Sequence, residues 1–269
     1  PVTYTDEHGK HAFSKEVEDQ LQSLADPDGI MVLDEGHEDD LPAKIEDTLV
    51  LMLGEKEAHE VLATLVGESA PNRDKFRRFL ERDFFNKHHL KMYKKRPIYW
   101  LLQTENKSYS FYIFHERFDH DTLFKLQRNY IDPKLNHIDQ QMRDISKKLS
   151  GLDGREEREA NAQRDKLEEL YQEVKTFADK VTAVLNLTDE TGKVVSYDPD
   201  INDGVILNLA PLRELVPWKE PAKFWDELVQ GKYDWAHLAK RYWPERVREK
   251  CKSDKSLAIA HGMEELYEG

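Results

Sequence analysis

The sequence is poor in the residues from which compact reactive sites are built. One cysteine, Cys251, stands among 269 residues, which excludes an intramolecular disulfide and any multi-cysteine zinc site. No apolar run approaches the roughly 20 residues of a membrane span, and no basic region followed by an apolar one opens the chain. There is no GxxxxGK[ST] phosphate loop and no GxSxG elbow. A glycine-rich cofactor loop after a strand, joined to an Asn/Asp-Pro-Pro-aromatic motif as amino-group methylation requires, is also missing. The strings DPDG, DPKL and DPDI are Asp-Pro turns without the second proline or the aromatic. No PD followed by an acid-x-Lys marks a metal-dependent nuclease. His115-Glu116 precedes His120 by one residue too many to share a helical face as HExxH does. His88-His89 and His37-Glu38-Asp39-Asp40 read as solvated. Catalysis by this chain alone has no motif to rest on.

Charge, in contrast, is abundant. Lys and Arg number 40, Asp and Glu 53, for a net charge of −13, and charged residues make up 35% of the chain. Mean hydropathy is low, at −0.79. Five Trp, eleven Tyr and eleven Phe nevertheless call for a core and argue against wholesale disorder. A chain of this length can bury about 70–75% of its unfolded surface, as one large domain or two ordinary ones. The expected class is an intracellular, cytoplasmic protein. The opening PVTYTDEHGK has no Met and no element boundary, which suggests a piece of a longer protein.

The negative total is uneven. Residues 1–70 hold 18 acids and 4 bases, whereas residues 71–97 hold ten bases and three acids. Those bases are Arg73, Lys75, Arg77, Arg78, Arg82, Lys87, Lys91, Lys94, Lys95 and Arg96. A second basic stretch, 240–255, includes Lys240, Arg241, Arg246, Arg248, Lys250 and Lys252. Lys and Arg release counterions from phosphates, and Arg can bond guanine bidentately. The plainer alternative is that the basic helix face is solvated or pairs with the acidic first 70 residues.

Periodicity predicts a mostly helical α+β fold in four parts. Residues 1–70 form an acidic helical segment, with helices over 13–25 and 43–68, the latter broken at Gly54. Residues 71–118 hold a basic helix, with Phe76, Phe79, Leu80, Phe84 and Phe85 on its buried side, and an antiparallel β-hairpin from RPIYWLLQ and SYSFYIF. In 119–187, Ile131, Leu135, Ile138, Met142, Ile145, Leu149 and Leu152 step by 4 and 3. Leu167, Leu170, Val174, Phe177, Val181 and Val184 do the same after SGLDG. The short turn between these heptad stripes predicts a protruding antiparallel coiled-coil hairpin, with Pro133 kinking or restarting its first arm. At ~1.5 Å per residue each arm reaches about 45 Å. Residues 188–269 read as a Trp-rich helical segment packing on the rest. KVVSY and GVILNL form short strands there, Asp234 and Ser253 act as caps, and Trp218, Trp225, Trp235 and Trp243 serve the core.

Two strings carry a resemblance, KKRPIYWLLQTENKSYSFYIFHERFDHDTLFKLQRNYI (94–131) and YDWAHLAKRYWPERVREKCKSDKSLAIAHGMEELY (233–267), with DGVILNLAPLRELVPW between them. From DGIMVLDEGHEDDL at residue 28 to the end, the sequence resembles the carboxy-terminal region of the PglX adenine-specific DNA methyltransferases of BREX phage-defence systems, relatives of the type IIG restriction–modification enzymes. The resemblance implies a non-catalytic target-recognition or spacer region. Its partners would be duplex DNA, the parent's methyltransferase domain and other defence proteins, with no membrane. S-adenosylmethionine would sit in the parent's catalytic domain, and this chain would hold no cofactor and no metal. No catalytic residue carries over. The expected DNA contacts come from the charge pattern: Arg73, Arg77, Arg78, Arg82, Lys91, Lys94, Lys95, Arg96, Arg241, Arg246 and Arg248. The rival expectation is a scaffold that docks a defence partner through the coiled coil and the acidic segment.

Overall fold

The computed structural model describes residues 3–6, 9–24, 28–89 and 98–269. It is a mostly helical α+β structure that clusters into two compact units, Pro1–Tyr99 with Phe111–Arg117, and Trp100–Ser110 with Phe118–Gly269.

The first unit opens with β1 (Thr3–Asp6) and β2 (Gly9–Ala12), paired antiparallel, then α1 (Lys15–Leu24) and β3 (Ile30–Val32). These three strands lie in the segment expected to be helical. Each is three or four residues long, too short for a period of two to stand out. β3 still reads buried–intermediate–buried, with Ile30 and Val32 fully covered. Helices α2 (Leu41–Leu53) and α3 (Glu55–Leu65) break at Gly54 as the sequence predicts. Gly54 sits at φ 87°, a left-handed value at which a β-carbon would be strained.

Helix α4 (Arg73–Arg78) starts at Asn72, whose side-chain oxygen accepts from the Lys75 N–H at 3.0 Å. From Phe79 to His89 the chain continues in wider π-helical turns. The widening changes which residues face inward. Phe76, Leu80 and Phe85 are buried, at spacings of four and then five, while Phe84 is left 38% exposed instead of joining them. Phe85 stacks on Tyr112 with ring centroids 3.6 Å apart. Lys91, Lys94, Lys95 and Arg96 lie outside the described residues.

The predicted hairpin is β4 (Tyr99–Gln103) and β5 (Ser110–Phe114). It gains a third strand, because β3 pairs antiparallel with β5 in the register Ile30–Ile113 and Val32–Phe111, giving the order β3–β5–β4.

In the second unit one helix runs from α5 (Thr122–Lys125) through a π-helical stretch, Leu126–Ile131, into α6 (Asp132–Leu149). Pro133 does not break it. It falls in the first turn of α6, directly after the wide turns, where a missing N–H is tolerated. A four-residue turn leads to α7 (Gly154–Leu185), which packs back along α6. Heptad residues near the root (Ile131, Ile138, Val174, Phe177, Val181 and Val184) are buried, whereas Met142, Ile145, Leu149, Leu152, Leu167 and Leu170 are half-buried.

Helices α8 (Val205–Asn208), α9 (Glu220–Val229), α10 (His237–Tyr242), α11 (Pro244–Cys251) and α12 (Lys255–Ala260) complete the chain. GVILNL is thus a helical turn, not a strand, and KVVSY contributes only a Thr188–Val194 bridge. The buried Asn208 explains the difference. Its carboxamide accepts from the Asp200 N–H at 3.0 Å and donates to the carbonyls of Asp200 at 2.5 Å and Gly204 at 3.1 Å. The Tyr197 hydroxyl donates to the Asn208 carbonyl at 2.6 Å. These bonds close the segment on itself and leave no extended edge. Leu228, Ala236, Leu238, Ala239, Tyr242, Val247 and Cys251 form the core here, with Trp225 and Trp243 packed against it. The Arg213 and Arg246 guanidiniums cover these indoles at 4.5 and 4.6 Å. α12 is capped by Asp254, whose carboxylate accepts from the Leu257 N–H at 3.0 Å, and not by Ser253.

Candidate nucleic-acid interface

Seven of the eleven cations expected to meet DNA can be placed, and they fall into two kinds. Arg73 donates to Glu46 through Nε at 3.0 Å and a terminal nitrogen at 2.6 Å. Arg77 grips Asp40 with both terminal nitrogens, one at 2.9 Å, and Asp40 is only 3% exposed. These hydrogen bonds hold both guanidiniums more firmly protonated than usual, against the opposing effect of desolvation. Lys75 pairs with Glu68. Much of the basic helix is therefore answered by the acidic first 70 residues, which is the plainer of the two readings its charge allowed.

The carboxy-terminal stretch repeats the pattern. Arg241 pairs with Asp198 at 2.8 Å. Arg246 reaches Asp234 at 2.7 Å and also donates to the carbonyls of Leu228 and Val229. Lys250 takes the other oxygen of the same buried Asp234. Two more carboxylates act at a distance as caps. Asp203 accepts from the backbone N–H groups of His237 and Leu238, both at 2.8 Å, at the start of α10. Glu190 accepts from those of Glu245 and Arg246 at the start of α11. Such caps lie 34–56 residues away in sequence, so a local capping signal could not reveal them.

The second kind is Arg78, Arg82 and Arg248. All three are exposed and make no ion pair with a carboxylate among the described residues. Arg78 and Arg82 line one shallow hollow of about 270 Å³ together with Lys75, Leu65, Val66, Phe79 and Asp83.

A larger groove of about 480 Å³ lies in the second unit between the β4–β5 turn and α7. Glu105, Glu168, Glu169 and Glu173 line it, over Phe177 and beside Lys180. Glu173 is part of the fold, since its carboxylate accepts from the N–H groups of Asn106 at 2.9 Å and Ser108 at 3.4 Å. Among the described residues no three His, Cys, Asp or Glu side chains gather to hold a metal ion. No described helix is long and apolar enough to cross a membrane.

Comparison with known proteins gives the geometry a context. The chain is 28% identical over 207 residues to the adenine-specific methyltransferase BrxX of Escherichia coli O9:H4 (strain HS), which covers 71% of this chain and 16% of that protein. It is 25% identical over 183 residues to the adenine-specific methyltransferase PglX of Lacticaseibacillus casei (strain Zhang), covering 65% of this chain and 14% of the relative. Its homologues are the BREX methyltransferases BrxX and PglX. The chain thus spans about one-sixth or less of the length of these curated relatives. No family model matches it. The resemblance to PglX read from RPIYW and WPERVREKC agrees with both comparisons. Within those strings Tyr99 and Trp100 open β4, with Trp100 buried, and Pro244–Cys251 forms α11, with Val247 and Cys251 buried.

Proposed function

We propose that this chain is a non-catalytic, carboxy-terminal part of a BREX-type adenine-specific methyltransferase, and that it holds duplex DNA while the parent's catalytic domain works on an adenine. One observation carries the reading. A chain with neither a cofactor loop nor an Asn/Asp-Pro-Pro-aromatic motif aligns over 71% of its length with BrxX. A methyltransferase must take its target base out of the stack, which calls for a second body to grip the duplex meanwhile. The grip falls to exposed cations, Arg78, Arg82 and Arg248 among those described, with the run Lys91, Lys94, Lys95 and Arg96 beside them in sequence. Arg73, Arg77, Arg241 and Arg246 support those surfaces from within their ion pairs. S-adenosylmethionine belongs to the parent outside this stretch, and the setting is cytoplasmic.

The test is fluorescence anisotropy of a labelled duplex titrated with the chain across a salt series. Binding that weakens linearly in log K against log salt is expected. No binding at low salt would refute the proposal.

A second reading draws on the helical hairpin of α6 and α7, taken as an antiparallel coiled coil that docks another defence protein. Removing residues 131–185 would then abolish complex formation while leaving duplex binding by the parent intact.

A further inference from the structure

The hollow beside α3 and α4 differs from the rest of the basic helix over its described residues, 73–89. Arg73, Lys75, Arg77 and Lys87 are each matched by a carboxylate, namely Glu46, Glu68, Asp40 and Asp83. Arg78 and Arg82 have no such partner among the described residues, although this unit carries the acidic part of the chain. They stand four residues apart and line the same hollow, where like charges at that spacing repel. Asp83 is the one carboxylate in the lining, and it already takes Lys87. Lys75, held by Glu68, also lines it, and the rest of the wall is apolar. Leu65 is 47% exposed and Val61, one turn earlier on α3, is 39% exposed. Val66 and Phe79 complete that side. At about 270 Å³ the hollow falls below the ~300–1,000 Å³ typical of small-molecule pockets, and it is shallow.

Two unpaired guanidiniums facing an apolar wall match a polymer that is anionic on one side and carbon-rich on the other. We infer that the hollow formed by Leu65, Val66, Phe79, Arg78 and Arg82 is a seat for the sugar–phosphate backbone of duplex DNA. The two arginines take phosphate oxygens while the apolar wall lies against deoxyribose. The ion pairs of Arg73 and Arg77 fix the helix that presents them and touch no phosphate. Such a seat reads no sequence and sets the register of the duplex. The inference rests on the proposed DNA-holding function and assigns one of its contact points.

The experiment compares the full chain with the double variant Arg78→Gln/Arg82→Gln in the same anisotropy titration. Loss of both contacts is expected to weaken binding about tenfold or more and to lower the slope of log K against log salt by about two. The variant Arg78→Lys/Arg82→Lys should keep most of the slope, and both variants should melt at the wild-type temperature because the side chains are exposed. An unchanged slope in the glutamine variant, with the wild type still binding, would overturn this seat and leave the proposed function standing. Failure of the wild type to bind duplex would overturn both. A poly-glutamate peptide that binds more tightly than duplex, and is lost in the glutamine variant, would show that the hollow takes an acidic peptide, and would overturn the seat as well.

Discussion

Replacing Asp203 by alanine tests whether the carboxy-terminal helices depend on a carboxylate far away in sequence. The Asp203 side chain is 2% exposed. It accepts from two backbone N–H groups at 2.8 Å and contacts Nδ1 of His237 at 3.0 Å. Removing an N-cap costs about 0.5–2 kcal/mol, and each buried donor left without an acceptor costs about 1–3 kcal/mol. Leu238 is 2% exposed, so water replaces the lost acceptor poorly there. His237 is about half exposed, so its N–H is more readily rehydrated. Together these considerations give a loss of about 2–4 kcal/mol for Asp203→Ala. Asp203→Asn keeps one acceptor oxygen and should lose about half as much. The readout is urea unfolding followed by tryptophan fluorescence, to which Trp225 and Trp243 in the adjoining core contribute. The midpoint should fall with the slope unchanged. A loss below about 0.5 kcal/mol for the alanine variant, the level of ordinary surface substitutions, would refute the view that Asp203 organises α10.

Two further outcomes follow from the ion pairs and the acidic groove. Arg77→Ala leaves the buried Asp40 carboxylate without its partner and should cost about 3–5 kcal/mol. Arg73→Ala, at the half-exposed pair with Glu46, should cost less than about 1 kcal/mol. Equal losses in denaturant unfolding would contradict the distinction between them. At Glu173 burial works against the charge. Hydrogen bonds from the side chains of Thr104 and Ser108 and the backbone of Ser108 and Asn106 outweigh it, and hold the carboxyl below the usual glutamate value. A depressed value means that the group stabilises the fold above its ordinary titration range, and that this is lost as pH falls through the folded value. Thermal midpoints measured against pH should therefore drop on the acid side in the wild type, and less steeply in Glu173→Gln. Parallel curves would count against the assignment.

The parts of this fold legible in the sequence are those where one periodicity runs long enough to be counted. The two helices over 132–149 and 154–185, the break at Gly54 and the YWLLQ/SFYIF hairpin all stand where the pattern puts them. Three kinds of feature escaped it. β3 is too short to alternate visibly, and its partner β5 lies about 80 residues on. The π-helical turns of 79–89 move Phe84 to the surface, which a count at 3.6 residues per turn cannot foresee. The strand expected at GVILNL has the right apolar composition but is folded into a helical turn by Asn208, through bonds no pattern of hydropathy encodes. At the candidate interface, composition located the basic helix. Only side-chain geometry separates Arg73 and Arg77, which are bound to Glu46 and Asp40, from Arg78 and Arg82, which are not.

The gradient of burial along α6 and α7 also has a dynamic consequence. Near the root most seam residues are buried, whereas from Met142 outward they are only half-buried. Local opening needs the least energy where the fewest apolar contacts must part. Amide hydrogens around the 150–153 turn should therefore exchange with solvent first, with protection rising steadily toward Ile138 and Val181. The hairpin would act as a lever with a stiff base and a compliant tip, and a partner bound at that tip would register as slowed exchange there before any change of shape.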